Sequence, residues 1–468
     1  MKLFSVKLTT LKSKLYAIVF ASFIVRVLSF FLLPSKPTVA LAPDEGGYAE
    51  IARLVASEQP TTPYGGLYFI SRTLVLPAAA LSNFGVEPLS SVRIVASMYG
   101  VLTLILVAFL ITQFVNKYST YSELTLKRSN LITGLFFVFA FLPSHLLWSM
   151  LGLRESPMEF WVLCSLSAIF LAVNLKEKVT LPIALLLTIS ITLLFNTRPQ
   201  VAWLLTVTIL ISLIFNNKRR VSFTLALLTL FASGVGYSSV AVQKHDVFAL
   251  VATDGSVIDG SVIDGSVIDA SPCEDSKQKI TFQGKEYQCT KTGTSTDLSN
   301  LQNPGEIIVN ETISIPDSHK VNQIAAASAI QTLSCPVMEE SKTDKYFCLV
   351  WRAPYMAATF LFRPLIFIDT TSTSSLIAAI ENIAWLGAFV FIVVMIFKKR
   401  RLAFIGPLAP SLIFFVLYCV GAGSYEGNMG TAFRHKSLIL WVILLLLASV
   451  ITAKKRPKSR NESAEKGV

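Results

Sequence analysis

In the stretch LAPDEGGYAEIAR two carboxylates stand side by side, Asp44 and Glu45, directly after Pro43, with Tyr48, Glu50 and Arg53 following at helical spacing. An ionised carboxylate is the residue type a general base requires, because it takes the proton of a hydroxyl as that oxygen attacks. A helix start behind a proline also favours an acid through the helix dipole, which accounts for one of the two without chemistry. Further charges recur beside apolar runs: Arg72 and Arg93, then Arg154, Glu155 and Glu159, Arg198 in NTRPQ, Arg352, Arg363, Glu381, and Arg434, His435 and Lys436. Guanidinium groups match phosphate oxygens in a two-pronged geometry. A base beside such an anion clamp is what group transfer from a phosphate-linked donor requires. Plainer roles compete: Arg93 and Arg198 also suit interfacial anchors, and Arg154 and Glu155 suit a pair across a turn. Glu381 falls inside an apolar run, where an unpaired carboxylate is expensive.

The elements that must position these residues are apolar helices. Of 468 residues only 15% are charged, and mean hydropathy is +0.60. A soluble chain carries about a quarter charged residues. Ten apolar runs long enough to cross a bilayer lie near 15–33, 92–114, 131–149, 157–174, 179–196, 200–216, 221–241, 374–397, 402–420 and 437–453. Basic clusters fall on one side of this arrangement, from Lys2 to Lys14, at Lys117 to Arg128, Lys176/Lys178, Lys218 to Arg220, Lys398 to Arg401 and in the KKRPKSR tail. The positive-inside rule makes that side cytoplasmic and places both termini there. The net charge of +12 therefore follows topology and anionic lipid rather than nucleic acid. The first run exceeds the core of a signal peptide and is expected to stay as an anchor.

Residues 1–242 read as an N-terminal transmembrane module whose first exported loop, 34–91, carries the acidic pair. Residues 243–373 read as an exported loop domain, and 374–468 as a C-terminal transmembrane module with a basic tail. The exported domain opens with DGSVIDGSVIDGSVIDA, which sets Asp254, Asp259, Asp264 and Asp269 at a period of five. That period fits neither an EF-hand nor the nonapeptide calcium repeats, so the segment reads as a tolerant, weakly β-forming lead-in. Cys273, Cys289, Cys335 and Cys348 in one exported segment point to two disulfides in an oxidising compartment. Three pairings exist, of which the local Cys273–Cys289 and Cys335–Cys348 are favoured. The apolar stretch from Tyr355 to Ile368, interrupted at Arg363-Pro364, is too short to cross and reads as interfacial or re-entrant.

PDEGGYAEIAR resembles the D-E-x-x-Y-x-x-x-A signature in the first exported loop of GT-C glycosyltransferases, above all the glycosyltransferase family 39 type that includes protein O-mannosyltransferases and lipid A aminoarabinose transferases. SVRIVASMYGVLTLILVAFL and SMLGLRESPMEFWVLCSLSAIFLA are similar to the spans that follow, so the resemblance covers about 15–215. It implies an all-α polytopic fold and transfer of a sugar from a polyprenyl-phosphate donor to a glycan, lipid or protein hydroxyl on the exported side of the cell membrane, with inversion. It assigns Asp44 as base, Glu45 as its acidic neighbour and Tyr48 as support behind them. Arg93, Arg154, Glu155, Arg198, Arg434, His435 and Lys436 are then candidates to bind donor phosphate or acceptor. A divalent metal stays open, since some members use one and others do not. The last exported stretch, GNMGTAFRHKSLIL, departs from the family's R-Y-x-x-P loop and is similar to that of polysaccharide-polymerase-like proteins, which join lipid-diphosphate oligosaccharides. That enzyme is the alternative, with a transporter or flippase behind it. No internal repeat of the kind transporters carry is visible.

Overall fold

The computed structural model of the chain describes residues 2–32, 43–59, 61, 68–118, 126–176, 178–216, 218–241, 246–252, 257–258, 279–282, 285–294, 342–364, 373–399, 406–425 and 429–452. Among the described residues ten α-helices lie in its N-terminal part: α1 (Lys2–Leu32), α2 (Pro43–Ala56), α3 (Arg72–Asn83), α4 (Pro88–Tyr118), α5 (Leu126–Phe141), α6 (Pro143–Met150), α7 (Glu155–Phe170), α8 (Leu181–Phe195), α9 (Pro199–Ile214) and α10 (Arg219–Ala241). Four more described helices lie in the C-terminal part: α11 (Lys342–Phe362), α12 (Thr373–Lys399), α13 (Ala409–Tyr425) and α14 (Met429–Thr452). Prolines open α2, α4, α6 and α9, where the first turn has no use for the missing N–H and the ring fixes a helical φ.

Six helices among the described residues are long and apolar enough to cross a membrane: those containing Thr10–Leu32, Pro88–Lys117, Glu155–Lys176, Arg219–Val240, Leu376–Met395 and Phe433–Thr452. Helices α5 and α6 pass the same test together but bend by 42°. The bend sits where Leu142 is extended ahead of Pro143, which can neither donate to the previous turn nor tolerate a helical residue before it. Leu181–Phe195, Pro199–Ile214 and Ala409–Gly423 are shorter apolar helices.

The helices share one apolar core in which the lower α14, from Leu438 to Ile451, is wholly enclosed by α4, α5, α7 and α13. A smaller core caps one end of the bundle, built from Tyr48, Ile51 and Ala52 of α2, Leu74, Val75 and Ala78 of α3, Val92 and Val95 of α4, and Leu151 and Leu153. Each large apolar side chain buried there stabilises the fold by about 1.5–3 kcal/mol. At the opposite end Lys14 donates to Asn130 at 2.8 Å, and Lys218 donates to the Val173 carbonyl at 2.9 Å. Val173 lies in the π-helical turn Leu171–Lys176 that ends α7, a geometry that releases carbonyls from their usual partners.

Between α10 and the helices that follow, β1 (Asp246–Ala252), β2 (Val257–Ile258), β3 (Lys279–Phe282) and β4 (Lys285–Thr294) form an antiparallel sheet of order β2-β1-β4-β3. The short β2 comes from the DGSVI repeat, in line with its β-forming residues. The two expected disulfides fall outside the described residues: Cys273 and Cys335 lie outside them, as do the side chains of Cys289 and Cys348. Helix α11 includes Tyr355–Phe362 of the stretch expected to be interfacial and packs on α13 through Phe360, with Trp351 and Tyr355 exposed.

Candidate functional site

Asp44 and Glu45 occupy the first turn of α2, as a helix start favours. Consecutive helical residues point about 100° apart, and this rotation separates the pair. Glu45, Tyr48, Ala49 and Ala52 recur at i, i+3, i+4 and i+7 and are all buried, whereas the Asp44 side chain is 48% exposed. Expected as the acidic partner in the chemistry, Glu45 is instead held from three directions. Arg93 Nε and a second guanidinium nitrogen donate to its two oxygens at 2.6 and 3.0 Å, and the Gly152 N–H donates at 3.0 Å. A Cβ on Gly152 would lie 2.5 Å from Val92 Cγ2, so only glycine lets this backbone reach the carboxylate. Glu45 and Arg93 thus anchor α2 to α4 and to the α6–α7 turn, behind the open face rather than on it.

The open face belongs to Asp44. Arg434, from the start of α14, donates from NH1 to Asp44 Oδ2 at 3.0 Å while its Nε lies 2.9 Å from Glu155 Oε1. Glu155, the first residue of α7, is 2% exposed, and neither of its oxygens receives a well-aligned hydrogen bond. His435 Nε2 lies 3.3 Å from the same Oε1, and Arg198 NH1 lies 2.6 Å from that Nε2. Five side chains from α2, α14, α7 and the α8–α9 turn therefore form one chain: Asp44, Arg434, Glu155, His435, Arg198.

Arg154 and Tyr48 stand beside it. Burial disfavours charge on Arg154, but Tyr48, Glu155 and Asp44 more than restore it and hold the guanidinium above its ordinary range. Its NH1 is buried without a hydrogen-bond partner. Burial pushes the Tyr48 phenol up to about 12, against the pull of Arg154, so it is neutral at physiological pH.

Lys436 departs from the expectation that the Arg434–Lys436 trio acts together. It is buried, donating to the Arg363 carbonyl and, at 3.2 Å, to Asn382 Oδ1. It ties Arg363, at the end of α11, to Asn382 of α12 instead of meeting Asp44. Glu381, the costly carboxylate of α12, is satisfied by the Ser144 N–H at 3.0 Å, the Ser144 hydroxyl and Trp385 Nε1 at 3.1 Å.

Of a second polar layer deeper in the bundle, sequence reasoning named Glu159 and passed over the rest. Arg26 of α1 donates to Ser149 Oγ at 3.1 and 2.8 Å and also meets Ser22, while His145 Nδ1 lies 3.6 Å from Glu159 Oε2. Gly100 allows the approach, since a Cβ there would lie 2.5 Å from Ser149 Cβ. The available signal was Arg26 itself, the one charge in the first apolar run. Among the described residues no three His, Cys, Asp or Glu side chains gather as metal ligands.

Against protein-family models, curated proteins and solved structures alike, the chain finds no match.

Proposed function

We propose that the protein is a GT-C-type integral membrane glycosyltransferase that moves a sugar from a polyprenyl-phosphate donor to a hydroxyl acceptor on the exported side of the cell membrane. In this reading the chain crosses the membrane ten times, with both termini cytoplasmic. The six long helices, the bent pair and the three shorter apolar helices support that count.

The observation that carries the reading is the division of labour at the head of α2. Glu45 is locked into the scaffold, and Asp44 is presented half-open on a guanidinium. Around it Arg434, Arg154 and Arg198 set three permanent positive charges against two carboxylates, Asp44 and Glu155, and the excess favours an anion.

Asp44 takes the proton of the acceptor hydroxyl as the oxygen forms its bond to the anomeric carbon. The bond from that carbon to the phosphate oxygen breaks, the phosphate keeps the electron pair, and the guanidinium groups hold its new charge. A single displacement of this kind inverts the anomeric centre. Glu155 positions Arg434 from below.

The test is the surface glycan of the native host carrying Asp44→Asn or Arg434→Ala, with protein level and membrane insertion measured alongside. Loss of the glycan at normal protein level in both variants supports the reading. An unchanged glycan with Asp44→Asn overturns it in favour of a transporter or scaffold.

A further inference from the structure

Among the charges noted in the sequence, Arg72 has no part in the chain from Asp44 to Arg198. It is the first residue of α3, and its guanidinium carbon lies 4.3 Å from the centre of the Phe69 ring and 5.3 Å from that of Tyr68. Two aromatic rings beside one cation fix its direction. Arg72 NH1 donates to Asn196 Oδ1 at 3.2 Å and to the Ser239 carbonyl at 3.1 Å. Both amide hydrogens of Asn196 are used as well, since Nδ2 donates to the Thr192 carbonyl and to Ser239 Oγ, each at 2.9 Å. The next residue along each segment meets its counterpart too. Thr197 donates its hydroxyl to the Leu193 carbonyl at 2.8 Å, so in its 2.7 Å contact with Thr73 it accepts and Thr73 donates. Gly236 lets α10 close on this knot, because a Cβ there would lie 2.6 Å from the Phe195 ring.

Asn196 and Thr197 are buried, and with Arg198 they make up the whole turn between α8 and α9. Arg198 is extended, at φ −160° and ψ 95°, ahead of Pro199, which disfavours a helical alternative. With one neighbour clamped and the other a proline, the backbone of Arg198 has little freedom of its own. Helix α3 also packs on α2, through Leu74, Val75 and Ala78. It therefore touches both the helix that carries Asp44 and the turn that carries Arg198.

We infer that Arg72 and Thr73 are positioning residues, which clamp the α8–α9 turn and so hold Arg198 at a fixed distance from Asp44 for the phosphate of the donor. This inference rests on the phosphate-donor reading and adds two residues to the same site. Neither residue touches the ligand, and both act through Arg198. Loss of the clamp therefore weakens phosphate binding only as long as Arg198 is there to be held.

The experiment is calorimetric titration of the full chain in lipid nanodiscs with farnesyl monophosphate as the probe, and thermal unfolding of each variant alongside. Wild type is compared with Arg72→Gln, Thr73→Val, Thr73→Ser and Arg198→Ala, and with the first two each combined with Arg198→Ala. Arg72→Gln is expected to weaken binding about tenfold and Thr73→Val about threefold, as the loss of a charged and of a neutral hydrogen bond does. Thr73→Ser keeps the donor and should bind as wild type does. Combined with Arg198→Ala, neither change should add to the loss from Arg198→Ala alone. Losses that multiply in the combined variants overturn the clamp, because Arg72 and Thr73 then act independently of Arg198. Wild-type binding by Arg72→Gln and Thr73→Val, or by Arg198→Ala, also overturns it and leaves the donor reading intact. So does a loss in Thr73→Ser equal to that in Thr73→Val. Absence of binding by wild type overturns the phosphate-donor reading together with the clamp. Thr73→Val conserves shape and leaves the Thr197 hydroxyl on Leu193, so the Thr73 variants decide the matter even if Arg72→Gln fails to fold.

Discussion

Glu45 and Arg93 are bound at 2.6 and 3.0 Å with neither side chain exposed, whereas Asp44, one residue away, stays half-open on Arg434. The two halves of the acidic pair thus do different work, one fixing α2 and the other facing the site.

Removing one partner of the buried pair strands a charge. Glu45→Gln or Arg93→Gln is expected to destabilise the detergent-solubilised protein by roughly 3–5 kcal/mol, and the double replacement by apolar residues of similar size by much less. Thermal unfolding of the three variants checks this. Equal losses for single and double changes would contradict a direct pair.

At Gly152 the expectation is steric. Gly152→Ala pushes a methyl into Val92 and draws the backbone N–H away from Glu45, costing about 1–3 kcal/mol. A second change, Val92→Ala, makes room and should restore part of that loss. Unfolding midpoints of the single and double variants provide the comparison.

Tyr48 gives a pH signature. Its folded-state pKa of about 12 lies above the ordinary 10.0, so the folded protein holds the phenolic proton more tightly than the unfolded chain. Stability from this group is complete below pH 10 and is lost as pH rises toward 12, by about 1.4 kcal/mol per pH unit at most. Tyr48→Phe should flatten that alkaline slope. A slope identical to wild type would contradict the burial of the phenol.

Much of the fold was legible in the sequence because apolar run length and proline placement are local. The runs near 92–114 and 221–241 became α4 and α10, whereas the run near 131–149, read as one span, is bent at Pro143. The burial of Glu45 was not foreseen, although its i, i+3, i+4, i+7 spacing with Tyr48, Ala49 and Ala52 carried the signal. Nor was the partner of Glu45, since it depends on how closely Gly152 lets two distant segments approach. Arg434, His435 and Lys436 look like one cationic cluster in sequence, but consecutive helical residues diverge by about 100° and cannot all share a target. Hence Arg434 reaches Asp44 and His435 reaches Arg198, the two sharing only Glu155, while Lys436 turns to the Arg363 carbonyl.

Arg434 offers a geometric test of the site. Its guanidinium spans Asp44 and Glu155 at once, which an ammonium on a flexible stem cannot reproduce in the same way. Arg434→Lys is expected to keep the protein folded but lower transfer by about 10²–10³-fold, as loss of a charge-stabilising donor does. Wild-type transfer by the lysine variant would limit Arg434 to a structural tether.

The most direct measurement is the rate of sugar transfer by purified protein in vesicles, from a polyprenyl-phosphate sugar to a hydroxyl acceptor, for wild type, Asp44→Asn and Asp44→Glu. A lost general base lowers the rate by about 10²–10⁴-fold, so Asp44→Asn should fall by that factor while Asp44→Glu retains part of the activity. Transfer by Asp44→Asn at the wild-type rate, from protein of normal fold and amount, would contradict the assignment of Asp44 as the base.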